Sequence, residues 1–434
     1  MRTLLPLLAF IAFNSAPLFG ADLEAKPQGE QFVKFEPVKA PVYTTLYLKQ
    51  DDRLAIIGDS ITEQKMYSRI IETYLTVALP ELKITARQYG WSGETAEGFK
   101  KRMTQDCLRF KPTIATLCYG MNDHRYKPYD EKVAAWYREN YGAVAKGLKD
   151  AGARVVIGSP GPVGKMPHWV KTATGTVEDL NLNLCAFRNI DIALAKEHDV
   201  RFADVFWPMY TSFWAAKTKY AQDYEVPGTD GVHPDWAGQT LMAYAFLKAL
   251  GCDGNIGTIT VDLAGNKATA SAGHIVTKTE AGEVALTSTR YPFCANGPLD
   301  KHNSIRSGMT LVPFMQDLSR FTLVATGGSA AKYNVTWGSE SRTYSAEQLK
   351  AGVNLADDFQ VNPFSAAFKQ VDDVVLKKQQ YETEQIKKQF HGAAGKADFE
   401  KTVIETEAIR APLAAAIATA LTPVAHTIRI TPTP

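Results

Sequence analysis

Between residues 51 and 251, short apolar runs alternate with longer stretches of helical period. The runs fall at 54–57, 84–89, 113–119, 154–158 and 201–206, and Gly, Pro or Asp bounds them. Runs this short and this apolar fit strands buried on both faces of a parallel sheet. Between them, Tyr67, Ile70, Ile71, Tyr74 and Leu75 recur at helical spacing. Trp136, Tyr137, Tyr141, Val144 and Leu148 repeat the pattern, as do Leu180, Leu184, Phe187, Ile190 and Leu194. A last helix over 237–250 closes the unit. Strands alternating with helices require crossover connections, which predicts a three-layer α/β/α sandwich.

The pattern changes after Gly251. Residues 254–356 are rich in Thr, Val, Gly and Ser and alternate with period two, as in Phe321-Leu323-Ala325 and Tyr333-Val335-Trp337. This predicts an antiparallel β-rich accessory unit. Helical patterning returns over 364–390, charged and amphipathic, and over 397–421, rich in Ala, with Gly392 and Gly395 at the break. The expectation for 357–434 is therefore a helical tail that packs on the main domain or pairs as a hairpin. A final run at 426–430 is expected to add an edge strand. No internal repeat is evident.

The first 21 residues follow another rule. Arg2 precedes an apolar run from Leu4 to Phe13, then small residues through Gly20-Ala21. A positive start, a short apolar core and a small-residue exit predict a cleaved secretory signal peptide over 1–21. The run is shorter than the roughly 20 residues a spanning helix needs. The expected location is thus secreted or periplasmic, with no stable membrane insertion after cleavage. Residues 22–50 read as an extended lead-in. The chain carries 48 basic and 46 acidic residues, a net of +2, without the basic surplus of a nucleic-acid binder. Its five cysteines form no CxxC pair or zinc-like cluster, and Cys118 lies in an apolar run and reads as a core thiol.

Four blocks carry candidate chemistry. Gly58-Asp59-Ser60-Ile61-Thr62 follows the first predicted strand, so Ser60 sits at the carboxyl edge of the sheet, where open α/β sheets bind ligands. Taken alone, a Ser here is more often a helix N-cap. Trp91-Ser92-Gly93-Glu94-Thr95 follows the second strand and Gly120-Met121-Asn122-Asp123 the third, on the same edge. Gly93 offers an unobstructed backbone N–H and Asn122 a side-chain amide, although each alone is an ordinary turn residue. Asp230-Gly231-Val232-His233-Pro234 precedes the last helix. A spacing of three lets Asp230 hold the His233 imidazole through Nδ1 and leave Nε2 as a base. The competing reading, a metal site, lacks ligand spacing among the eight scattered histidines. Asp51-Asp52 reads as a solvated strand entrance and His124 as a surface residue.

Together and in this order, the blocks resemble those of the SGNH/GDSL hydrolase superfamily over roughly residues 51–251. The family's Gly-Asp-Ser-Leu stands here as Gly-Asp-Ser-Ile. Where the family usually has a Gly two residues beyond the following Thr or Ser, this chain has Thr62-Glu63-Gln64, a departure at the lip of the cleft. The resemblance implies a flavodoxin-like fold with a five-stranded parallel sheet, in accord with the five runs counted above. It implies a nucleophilic Ser60, a triad completed by Asp230 and His233, and an oxyanion hole from the Ser60 and Gly93 amides and the Asn122 side chain. The implied chemistry is ester hydrolysis through an acyl-enzyme, with no metal or organic cofactor. The expected substrate is a small ester or acylated glycan, most simply an acetyl ester of a carbohydrate. Trp91, Tyr119, His124, Tyr126 and Trp236 beside the blocks suit a sugar face. The alternatives are a lysophospholipase or thioesterase, and a noncatalytic glycan-binding protein on the same scaffold. Residues 254–356 read as a structural cover ahead of a binding module.

Overall fold

The computed structural model describes residues 22–433; the expected signal segment 1–21 lies outside them. Five apolar runs form parallel strands: β1 (Arg53–Gly58), β2 (Thr85–Gln88), β3 (Ile114–Cys118), β4 (Arg154–Gly158) and β5 (Arg201–Ala203). Their order across the sheet is β2-β1-β3-β4-β5, the flavodoxin-like order. Side chains alternate along β1 and feed two cores. Leu54 and Ile56 pack with Ile70, Ile71 and Tyr74 of α2 (Tyr67–Ala78) and with Leu241 and Phe246. Ala55 and Ile57 face the opposite layer, against Phe99, Tyr137, Tyr141 and Val144. This is the predicted sandwich, and the first helix on it is α1 (Ser60–Glu63), one turn long. The connecting helices are α3 (Ala96–Asp106), α4 (Glu131–Asp150), α5 (Val177–Glu197), α6 (Phe206–Lys219) and α7 (Trp236–Ala249).

The lead-in departs from a purely extended course. Residues Glu30–Val33 form one helical turn, and Phe32 and Phe35 bury against Trp207 and Tyr210 of α6. Asp52 is likewise not solvated. It is buried, accepts from Lys49 N and Thr113 Oγ1, and pairs with Arg154. Those partners lie 3 to 102 residues away, beyond the reach of a local polarity argument.

After Gly251 the chain builds two further sheets. One contains β6 (Asn255–Asp262), β7 (Lys267–Ala270), β10 (Arg320–Thr326) and β13 (Val353–Asn354) in the order β13-β10-β6-β7. The other contains β8 (His274–Glu280), β9 (Glu283–Ser288), β11 (Lys332–Trp337), β12 (Glu340–Ser345) and β14 (Val424–Pro432) in the order β12-β11-β14-β9-β8. The Phe321 ring of β10 stacks on Trp337 of β11 at 5.3 Å, joining the two. Their buried residues continue the α2/α7 core.

Two expectations for this region fail. The unit is not wholly antiparallel, because β6 and β10 pair in parallel. The last run is not an edge strand, because β14 lies between β9 and β11 and pairs antiparallel with both. Period-two alternation reveals that a segment is extended, but neither its direction nor its neighbours. The residues before β14 form α8 (Ser365–Glu384), a π-helical turn at Gln385–Phe390, and α9 (Phe399–Ala420). α8 and α9 pair as a hairpin across α2 and the free edge of β2.

That edge is closed by side chains. Gln88 N donates to Glu382 Oε2 at 3.1 Å, and Ala86 O accepts from Arg410 at 3.0 Å and from Lys378. Lys378 also bonds Glu72 at 2.6 Å, and Arg87 pairs with Glu407 at 2.8 Å. Unpaired backbone groups on an edge strand would otherwise invite another strand. Here buried charges from the hairpin occupy them.

Candidate active site

Gly58 ends β1 in a space that no other residue fits, since a Cβ would stand 2.1 Å from Thr62 Oγ1 and 2.7 Å from the Cys118 carbonyl. Asp59 follows and caps α1, its Oδ1 accepting from Ile61 N at 2.9 Å. The N-cap explanation of Ser60 is therefore displaced: Asp59 caps, and Ser60 is the first helical residue. Its Oγ lies 2.8 Å from His233 Nε2. His233 Nδ1 lies 2.7 Å from Asp230 Oδ2. The other Asp230 oxygen accepts from Val232 N at 2.9 Å and His233 N at 2.8 Å. One carboxylate thus orients the ring and closes the turn that carries it. Burial would raise the Asp230 pKa, but these bonds together outweigh it and hold the carboxyl below its usual range. Side-chain exposures of 25% for His233 and 31% for Asp230 leave this flank open to a bulky group.

Gly93 and Asn122 lie on the other flank. Gly93 has φ +75, which favours glycine, and a Cβ there would meet nothing within 4 Å. Its glycine is required by backbone conformation rather than by crowding from the protein. Asn122 Nδ2 donates to Glu94 O at 3.0 Å and lies 3.4 Å from Asp59 Oδ2. Its Oδ1 accepts from Tyr126 OH at 3.2 Å, which fixes the orientation of the amide. Asn122 therefore stands between the turn before Ser60 and the loop that carries Gly93. Asp123 ties this loop to α3 by accepting from Ala96 N at 2.9 Å and Gly120 N at 3.0 Å. Burial pushes the Asp59 and Asp123 carboxyls up to about 7 each, despite those backbone bonds, and their mutual proximity adds to the rise at Asp59.

Several residues that matter here carried no local signal. Glu94 accepts from Arg102 Nε at 2.6 Å, from Arg102 Nη2 at 2.7 Å and from the Tyr119 hydroxyl at 2.7 Å. Trp169 lies 5.7 Å from the His233 ring and 5.8 Å from Tyr126. It sits in a long irregular segment after β4, where nothing marks a site residue. Of the aromatics expected to form a sugar face, Tyr119 is core. Trp91 packs edge-on against His391 at 5.1 Å, and Trp236 lies 5.8 Å from the Arg69 guanidinium. His124 is buried rather than surface-exposed, bonded through Nδ1 to Met121 O, and burial lowers its pKa to about 4. Cys118 is a buried free thiol, as expected, and the other four cysteines are also buried and free. Among the described residues, no three His, Cys, Asp or Glu side chains gather as a metal site.

The doubly wound sheet, with the Ser60–His233–Asp230 chain of hydrogen bonds at its carboxyl edge, resembles that of the SGNH hydrolases. Residues 56–241 match the GDSL-like Lipase/Acylhydrolase family, and the chain carries a domain of that family and is a carboxylic ester hydrolase. It is similar to an acetylxylan esterase of Geobacillus stearothermophilus, 24% identical over 222 residues, 46% of this chain and 94% of that protein. A crystal structure of an acetylxylan esterase from the same organism aligns over 48% of this chain and 97% of its own, at 21% identity and TM-score 0.39. The structure of a gut microbial diltiazem-metabolizing enzyme aligns over 90% of this chain and 100% of its own, at 20% identity and TM-score 0.72. That last likeness extends the shared fold through the C-terminal sheets and helices.

Proposed function

We propose that the protein is an exported esterase that removes small acyl groups, foremost acetyl, from a carbohydrate. The observation that carries the chemistry is the continuous relay from Ser60 Oγ through His233 to Asp230. In this reading His233 Nε2 takes the Ser60 proton as Oγ attacks the ester carbonyl. Asp230 keeps Nδ1 protonated and stabilises the imidazolium. The oxyanion is held by the Ser60 and Gly93 amides and by Asn122. His233 then protonates the leaving alcohol, and water repeats the cycle on the acyl-enzyme. The exposure of His233 and the nearby Trp169 and Tyr126 rings suit a bulky alcohol with a flat apolar face, such as a sugar. The acetylxylan esterase relative supports the same substrate class. Export rests on the sequence of residues 1–21.

Treatment with an organophosphonate should leave one adduct, on the peptide containing Ser60, and Ser60→Ala should take none. Acetate should be released from acetylated xylo-oligosaccharides, and kcat/KM should favour acetyl over decanoyl esters of one chromogenic alcohol. Labelling of Ser60→Ala would remove the nucleophile assignment. Decanoyl preference with no acetate from any glycan would remove the substrate assignment. A secreted product that retains residues 1–21 by mass would remove the cleaved-signal assignment.

A further inference from the structure

Glu63 ends the one-turn helix that Ser60 begins. Its Oε2 accepts from both the backbone N–H and, at 2.7 Å, the hydroxyl of Ser92, the residue before Gly93. Both Glu63 oxygens face the Lys387 ammonium, at 2.8 and 2.9 Å. Lys387 lies 324 positions away in the chain, in the π-helical turn between α8 and α9. Such wide turns inside helices are frequent at functional sites. The same turn region supplies a second contact to this loop. His391 stands edge-on to Trp91 and bonds Asp106 Oδ2 at 2.7 Å, while Lys387 Nζ is 5.3 Å from the Trp91 ring centre. On the far side of Gly93, Glu94 is gripped by Arg102 and Tyr119. The peptide that carries Gly93 is thus anchored at both neighbours, and one of the two anchors reaches into the C-terminal hairpin.

We infer that Glu63 is a positioning residue for the Gly93 amide and that Lys387 locks it, making the C-terminal hairpin a working part of the esterase site. The inference rests on the reading of Gly93 as an oxyanion donor. It follows from how little room such a donor has. Displacement by about 1 Å costs as much as ~10²-fold in rate, and Gly93 has no side-chain packing to hold it. Burial works against a charged Glu63, but the Lys387 and Ser92 bonds outweigh it and keep its pKa below the ordinary range. The carboxylate therefore stays an acceptor for Ser92 across the neutral range.

The full-length enzyme is compared with Lys387→Met, Lys387→Arg, Glu63→Gln and Ser60→Ala, using p-nitrophenyl acetate as substrate and methylboronic acid as a probe of the tetrahedral state. Lys387→Met should lower kcat roughly tenfold or more with KM within about twofold, the split expected when an interaction acts only in the transition state. The boronate Ki should rise by a similar factor, and Lys387→Arg should restore most of the loss. Glu63→Gln keeps the size of the side chain and serves if Lys387→Met fails to fold; it too should lower kcat and leave KM. If either variant folds and keeps kcat and boronate affinity within about twofold of the parent, or shows only a lowered Tm, the inference is overturned. Activity surviving in Ser60→Ala would instead overturn the nucleophile reading beneath it.

Discussion

The two flanks of Ser60 are held in opposite ways. On one, Asp230 and His233 sit three residues apart in a single turn, and the carboxylate that orients the ring also closes the turn. On the other, the Gly93 and Asn122 loops are held by Glu63, Arg102, Asp123 and Tyr126, and from a distance by Lys387. The first flank is self-contained. The second is a product of tertiary structure, and part of what holds it belongs to the last quarter of the chain. A flank built locally is expected to fail by losing its chemistry, whereas a flank built at long range is expected to fail by losing its shape.

The largest expected effect breaks the local flank. Asp230→Asn should lower kcat by about 10³–10⁴, because the ring loses both the tautomer and the charge that stabilises its protonated form. Single-turnover hydrolysis of a chromogenic acetate checks this. A loss under about tenfold would take Asp230 out of the relay.

The next effect breaks the long-range flank at its foundation. Glu382 is fully buried between Lys378, at 3.3 Å, and Arg410, at 2.7 Å, and accepts from Gln88 N. Burial disfavours its charge, but the surrounding cations win and hold its pKa below the ordinary range. Glu382→Ala should cost about 3–5 kcal/mol in urea unfolding, since it removes the carboxylate that faces Arg410 and one of the two that face the buried Lys378. Replacing Lys378 and Glu72 together by apolar residues of similar volume should cost far less, for the same reason. Equal losses in the two variants would show that packing rather than uncompensated charge holds the hairpin.

The contrast also explains what the chain disclosed before its structure. Four of the five parallel strands were legible as short, largely apolar runs, and β2, Thr85-Ala86-Arg87-Gln88, chiefly from its place between two helical patterns; the meeting of Ser60, Asp230 and His233 was legible because strand ends and an i,i+3 spacing place them. Glu63, Lys387 and Trp169 were not, because their partners lie far away in sequence and no short pattern marks them. β14 shows the same limit from the side of the fold. Its extended character was visible at 426–430, but its central place depends on β9 and β11, and only the register of the whole sheet decides that.

Asn122 lies between these cases, legible as a residue but not in its bonds. Asn122→Ala should lower kcat by about 10²–10³, the usual loss for one oxyanion donor. Because its amide also bridges Glu94 O, KM should rise modestly through loosening of the Gly93 loop. A kcat reduced less than tenfold, with normal folding, would leave the Ser60 and Gly93 amides as the working donors.

The smallest effect concerns the other attachment of the C-terminal region, which is neutral where the hairpin is charged. In the core of the C-terminal sheets Trp337 Nε1 donates to His426 Nδ1 at 3.2 Å. That leaves His426 Nε2 to donate to Ser288 Oγ at 2.8 Å, the Ser288 hydroxyl to donate to His274 Nδ1 at 2.8 Å, and His274 Nε2 to donate to Ile256 O at 2.9 Å. Every donor in this chain meets an acceptor only while both rings are neutral. A proton on His426 Nδ1 would face the indole N–H. Burial, with His274 nearby, lowers the His426 pKa to about 4, and burial lowers that of His274 too. In the unfolded chain a histidine titrates near about 6.5. Between these values the unfolded state binds more protons, so stability is intact above about pH 6.5 and falls as pH drops toward 4, levelling below it. The contribution of His426 should reach roughly 2–3 kcal/mol at the acid end, because the ring is not wholly sealed from water. Urea unfolding at pH 7 and pH 4.5 should show His426→Gln less stable than the parent at neutral pH but with a shallower acid loss. Parallel acid losses in the two proteins would mean that the carboxylates, and not this histidine chain, set the acid limit of the C-terminal strand.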